Sequence, residues 1–154
     1  MTYWRMQLHP SSSKDAVRHT IESLAAGYIG LDFAVDIGDL LKTSQTSLPI
    51  NQKDYWAFAH EMKDHDLVLI FAHHFPVALV RVAGPYNYIR AIAPEIGVWF
   101  RHLSKVDDIR YYADFKTNAL NWENITMTDT ISALRDPTTK SYSLIESWQP
   151  NEET

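Results

Sequence analysis

Seven histidines in a chain of 154 residues are the first place to look for chemistry. His60-Glu61-Met62-Lys63-Asp64-His65 has the residue types of a zinc-protease helix but not its spacing. Two ligands on one helical face stand four positions apart, and His60 and His65 stand five apart. His73 and His74 adjoin at an expected hairpin tip, where successive side chains point to opposite faces and do not share a metal. There is no Gly-x-Ser-x-Gly elbow, no phosphate-cradling glycine loop, no dinucleotide fingerprint and no carboxylate pair at a telling spacing. The absence of cysteine excludes disulfides, thiolate metal sites and a Cys nucleophile. The expectation is a protein with no catalytic residue, no metal set and no cofactor.

Aromatic residues carry a stronger signal. They make up 12% of the chain, and Trp4, Tyr28, Phe33, Phe75, Tyr86, Tyr88, Trp99 and Trp122 fall near expected turns. Most belong to the core, because aromatic rings dominate the packing of small domains. Gly84-Pro85-Tyr86-Asn87-Tyr88-Ile89-Arg90 is different: it sets two tyrosines and a cation in a turn-like segment after a strand. Loops on a rigid scaffold are where binding residues gather.

The elements that must position these residues follow from periodicity. Thr2–Leu8 reads as a strand stopped by His9-Pro10, and Ser13–Ala26 as a helix closed by Gly27. Tyr28–Phe33 reads as a second strand, 40–51 as a polar loop, and Gln52–Lys63 as a second helix. Leu67–Ala72 is a continuous apolar run, the pattern of a strand buried on both faces. Val77–Gly84 follows closely enough to pair with it antiparallel. Gly97–Leu103 and Ile109–Ala113 complete six expected strands with a turn at 104–108 between them, and Met127–Leu134 completes three helices. The fold class is α+β: a curled sheet, or a barrel closed to remove its edges, with peripheral helices. One domain spans 1–148, and Gln149–Thr154 is a polar tail.

Composition bounds what such a domain does. With 45% hydrophobic and 21% charged residues the chain is an ordinary globular one. No apolar run approaches the ~20 residues of a membrane span, and Met1-Thr2-Tyr3-Trp4-Arg5 is unlike a signal peptide, so a cytoplasmic protein without membrane contact is expected. A net charge of -5 argues against bulk adhesion to a polyanion, leaving only a local cationic face.

Taken in order, Tyr3-Trp4-Arg5-Met6, Gly27-Tyr28-Ile29-Gly30-Leu31-Asp32-Phe33, Gly38-Asp39-Leu40, Asp66-Leu67-Val68-Leu69, Val80–Tyr88 and Gly97-Val98-Trp99 resemble the EVE/YTH branch of the PUA-like superfamily, especially the N-terminal modules of McrB-type restriction proteins. The resemblance spans residues 2 to 115 and implies a compact PUA-like sheet or barrel that holds a flipped, modified base of nucleic acid in an aromatic cage. By position it implies cage residues at Asp32 and Phe33 and at Tyr86 and Tyr88, with Phe33 standing where a Trp often occurs. Stacking on flat walls is worth about 1–3 kcal/mol per base. Asp32 would accept from an exocyclic amine, which suits methylated adenine or a modified cytosine. Phosphates would meet Lys14, Arg18, Arg90, Arg101 and Lys105, with His19, His102 and Arg110 nearby in the sequence. The resemblance thus implies the specificity module of a restriction or defence system, reading modified DNA and working with a nuclease or NTPase domain or subunit. A reader of modified or structured RNA, and a module binding a small molecule or a protein through the same pocket, are the alternatives.

Overall fold

The computed structural model describes residues 1–8, 15–72, 75–112, 125 and 129–148. Six strands, β1 (Tyr3–Gln7), β2 (Tyr28–Leu31), β3 (Leu67–Ala72), β4 (Phe75–Tyr88), β5 (His102–Tyr111) and β6 (Ile131–Leu134), form one mixed sheet in the order β2-β5-β4-β3-β1-β6. The helices are α1 (Ala16–Ala26), α2 (Trp56–His60) and α3 (Lys140–Trp148). This is the α+β sheet expected. It is open rather than closed into a barrel: β2 and β6 stand at its edges, each with one partner strand among the described residues.

β3 lies at the centre, antiparallel to β4 and parallel to β1. Its unbroken apolar run follows from period-two geometry. Val68, Ile70 and Ala72 enter a large core with Trp4, Met6, Ile29, Leu31 and Phe58, while Leu69 and Phe71 enter a smaller one with Leu134 and Ile145 of α3. A strand covered on both faces has no side left for polar residues.

α1 stops where Gly27 adopts φ 87 and its N–H caps the carbonyls of Ser23 and Leu24, so β2 begins at the next residue. The expected second helix is split. Residues Ile50–Tyr55 form a 3₁₀ segment kinked at Gln52, and only Trp56–His60 is α-helical.

Two strands outrun their expected ends. β4 continues through Gly84 and Pro85 because these sit in a bulge, where a residue without a free N–H does no harm to the ladder. Between Val82↔Val106 and Tyr86↔Ser104, four steps along β4 face two along β5. β5 runs straight through the segment expected to be a turn. Ser104 is buried opposite both Ile29 and Tyr86, Asp107 pairs with Arg81, and Asp108 takes φ 48 where β5 carries one extra residue against β4. β5 thus joins residues 102–103 of the first expected strand to 109–111 of the second, while 97–101 of the first are not strand: Gly97 caps a 3₁₀ turn at φ 82 and Val98 makes an isolated bridge to Ala93.

The last expected helix is corrected. Ile131–Leu134 is a strand, antiparallel to β1, and Ile131 and Leu134 are its buried residues. Three-residue spacing over so short a stretch fits a helical face and a strand end equally well. The third helix is instead Lys140–Trp148, which packs Tyr142, Ile145 and Trp148 on the smaller core.

Candidate nucleic-acid interface

The ladder itself brings the two expected cage segments together. On β5, His102 lies between Leu31 of β2 and Tyr88 of β4, and Ser104 lies between Ile29 and Tyr86. Tyr86 and Tyr88 thus share a face with His102, and Asp32 and Phe33 leave β2 one step beyond it. The rings converge on the imidazole: Phe33 at 5.4 Å edge-on, Tyr88 at 5.2 Å, Tyr86 at 5.9 Å nearly parallel.

Gly30 makes this approach possible. A Cβ there would strike the His102 carbonyl oxygen and would lie 2.8 Å from the Phe100 ring. The absence of a side chain lets the start of β5 close onto β2.

His102 is wholly buried. The Tyr86 hydroxyl accepts from the Leu40 N–H at 3.0 Å and has one partner for its own hydrogen, His102 Nδ1 at 2.6 Å. That arrangement places the imidazole proton on Nε2, which has no partner among the described residues. Burial pulls the His102 pKa down to about 4, against the opposing pull of Asp32, so the ring is neutral near pH 7. Burial likewise pushes the Tyr86 hydroxyl well above the usual phenol range.

Asp32 is also buried, and its oxygens are occupied. They accept from the Phe33 N–H at 2.8 Å, from Arg101 Nε at 2.8 and 3.1 Å and from the Arg101 backbone N–H at 3.2 Å. Three N–H donors thus converge on the two oxygens, with the Arg101 Nε–H shared between them, so an incoming amine would have to compete with Arg101 for the carboxylate. Arg101 completes its grip by donating from Nη2 to the Phe33 carbonyl at 2.6 Å. Phe33 is only 2% exposed and packs on Tyr55 at 5.0 Å. Of the four expected cage residues, Tyr88 alone is half-buried; the other three are buried.

Tyr88 carries the surface part of the cluster. Its hydroxyl donates to the Asp36 carboxylate, 2.6 and 2.7 Å from the two oxygens. This bond raises the tyrosine pKa and holds the Asp36 carboxyl below its ordinary range, aided there by the Gly38 N–H and the Arg101 charge. Arg90 and Arg101 both act on Tyr88 as nearby positive charges.

The expected phosphate contacts do not gather on one face. Arg90 is exposed and makes no salt bridge among the described residues, whereas Arg101 is held by Asp32. Lys105 is exposed but three steps from His102 along β5, hence on the opposite face of the sheet. Arg18 belongs to a separate cluster on α1, lying 5.2 Å over the Trp99 ring and 3.6 Å from Glu22. Lys14 lies outside the described residues, as do Trp122, His73, His74 and the 149–154 tail.

His60 has a local role. His60 stacks on Trp56 at 4.0 Å and bonds the Leu40 carbonyl through Nε2 at 2.8 Å, bracing the segment that also bonds Tyr86. Among the described residues no group of three or more His, Cys, Asp or Glu is placed to hold a metal. No helix among them is long and apolar enough to cross a membrane. A cavity of about 340 Å³ opens elsewhere, at the β1–β6 edge between Tyr3, Arg135 and Tyr142, far along the sheet from His102.

His102 and Asp36 escaped the sequence-based choice of cage residues. His102 sits at the start of a strand split in two by the expected turn. Asp36 reads as part of an Asp-Ile-Gly-Asp turn, which its bond to the Gly38 N–H at 3.0 Å bears out. Comparison with protein-family models finds no match, and none of the curated proteins compared matches the chain.

Proposed function

We propose that this chain is a non-enzymatic, EVE/YTH-type reader of nucleic acid, taking a modified base of DNA against Tyr88. The reading rests chiefly on one observation: residues 32–33 and 86–88, far apart in sequence, meet around a single buried imidazole beside Arg90 and Arg101. Tyr88 offers the accessible face for stacking, and Phe33, Tyr86 and His102 form the wall behind it. Asp32 acts by positioning Arg101 rather than by reading an amine directly. In this role the chain is the specificity module of a cytoplasmic restriction or defence system, with the nuclease or NTPase supplied by another domain or subunit.

The test is a set of matched DNA and RNA oligonucleotides, unmodified or carrying methylated adenine or modified cytosine, titrated at two salt concentrations. Tighter binding of one modified DNA than of its unmodified twin is the expected result. Equal binding of all of them would sink the base-reading proposal, and a preference for RNA would move it to the other polymer.

A further inference from the structure

Arg101 is held along one edge and open along another. Nε faces Asp32, Nη2 donates to the Phe33 carbonyl, and both bonds fix the guanidinium plane. Nη1 stands 3.6 Å from an Asp36 oxygen, too far for a good hydrogen bond, and donates none among the described residues. The Asp36 carboxylate bridges this nitrogen and the Tyr88 hydroxyl, yet its side chain is 37% exposed, against 2% for Asp32. One carboxylate is buried and closed in; the other lies at the surface on a short loop, accepting from the Tyr88 hydroxyl and from the Gly38 N–H of its own loop.

Resting on the nucleic-acid reading above, we propose that Arg101 Nη1 and Tyr88 Oη form the anchor for one backbone phosphate, and that Asp36 occupies this anchor as its resident competitor. An anion held by a guanidinium N–H and a tyrosine hydroxyl has the donor set that phosphodiester oxygens take from proteins. Asp36 mimics that anion. Arrival of a phosphate replaces one negative group by another, so the anchor never faces solvent unpaired. The Tyr88 hydroxyl passes its hydrogen bond from Asp36 to the phosphate, and the ring stays where it packs beside His102. Arg90, exposed and without a salt bridge among the described residues, adds positive charge at the same end of the sheet.

The experiment compares the intact chain with Asp36→Asn in fluorescence-anisotropy titrations against a labelled oligonucleotide at several salt concentrations. Asn keeps the side chain's shape and its bond to the Gly38 N–H while removing the charge. The control is Asp64→Asn, which removes one negative charge from an exposed carboxylate paired only with His65 among the described residues. Asp36→Asn is expected to bind about three- to tenfold more tightly than the Asp64→Asn variant, with the difference shrinking as salt rises. Tyr88→Phe, which retains the ring and loses one anchor donor, is expected to bind more weakly than the unaltered chain. If the unaltered chain binds and both Asp→Asn variants match each other, the competitor role is overturned while the nucleic-acid reading stands. If no variant binds DNA or RNA even at low salt, the reading fails and takes the anchor with it.

Discussion

Two buried histidines, each against aromatic rings and each with a ring nitrogen lacking a partner among the described residues, do different work in this fold. His102 is gripped by a directional hydrogen bond from Tyr86, which sets its tautomer and locks it at the meeting point of β2, β4 and β5. His19 on α1 is held by stacking, 3.9 Å from Trp99 with the rings 18° apart, and its Nδ1 has no partner among the described residues. Trp99 in turn donates to Glu22 at 2.5 Å and lies under Arg18. The first arrangement organises a candidate site; the second clips the 94–100 segment onto a helix. Where a polar ring is fixed by a bond, its chemistry is defined. Where it is fixed by its face, only its position is.

The comparison breaks first at Phe33. Phe33→Ala removes a core ring packed on Tyr55 and His102, and about 3–5 kcal/mol of stability should go with it, read by urea denaturation. A variant as stable as the parent would mean that Phe33 is a replaceable lid and the His102 cluster is not part of the core.

Acid sharpens it next. The His102 pKa is depressed in the folded chain, so the unfolded state takes up a proton as pH falls below about 6.5 while the folded state does not until about 4. Stability is therefore full above that window and lost as pH falls through it, by on the order of 3 kcal/mol. His19 is depressed as well, by burial and by Arg18, and adds in the same direction. Carboxylates held low by hydrogen bonds, Asp36 and Asp136 among them, contribute only at more acid pH. Denaturation curves for His102→Phe should show a clearly flatter slope between pH 6.5 and 4 than the parent; an unchanged slope would reassign the effect.

Trp99→Ala tests the other member of the pair. Loss of the stack, the bond to Glu22 and the cation contact should cost about 2 kcal/mol, with no change in nucleic-acid affinity beyond that of folding. A specific loss of binding would make the α1 face part of the interface. The smallest effect on stability is expected from Tyr88→Ala, whose ring is half-buried at the surface. Its melting temperature should stay close to the parent's while oligonucleotide affinity falls several-fold. Equal affinity would remove Tyr88 from the proposed site.

Much of the sheet was legible because its central strands carry a two-face signal. Leu67–Ala72 has the same bounds in sequence and structure, and Gly27 ends α1 as its position implied. What the sequence hid were places where tertiary contacts override local grammar. Gly84-Pro85 and Ser104–Asp108 have turn composition, yet they are a bulge and a paired strand, because long-range partners supply the hydrogen bonds that turn residues would otherwise make for themselves. Ile131–Leu134 is a strand in place of the expected helix for a similar reason: a four-residue strand has no periodicity to detect until β1 is beside it. At the site, the residues were legible by type but their partners were not. Nothing local says that Arg101, 69 positions away, holds the Asp32 carboxylate.

The bulge in β4 has a parity. It adds two residues to one strand against its neighbour, and two is the number of steps that returns a pleated chain to the same side. Val82 before it and Tyr86 after it therefore enter the same core. Deleting Gly84 alone would change an even insertion to an odd one. Tyr86 and Tyr88 would then rotate to the far side, stranding His102 without its hydroxyl, whereas a matched two-residue deletion would carry both rings back. Length changes in this segment should be tolerated by twos.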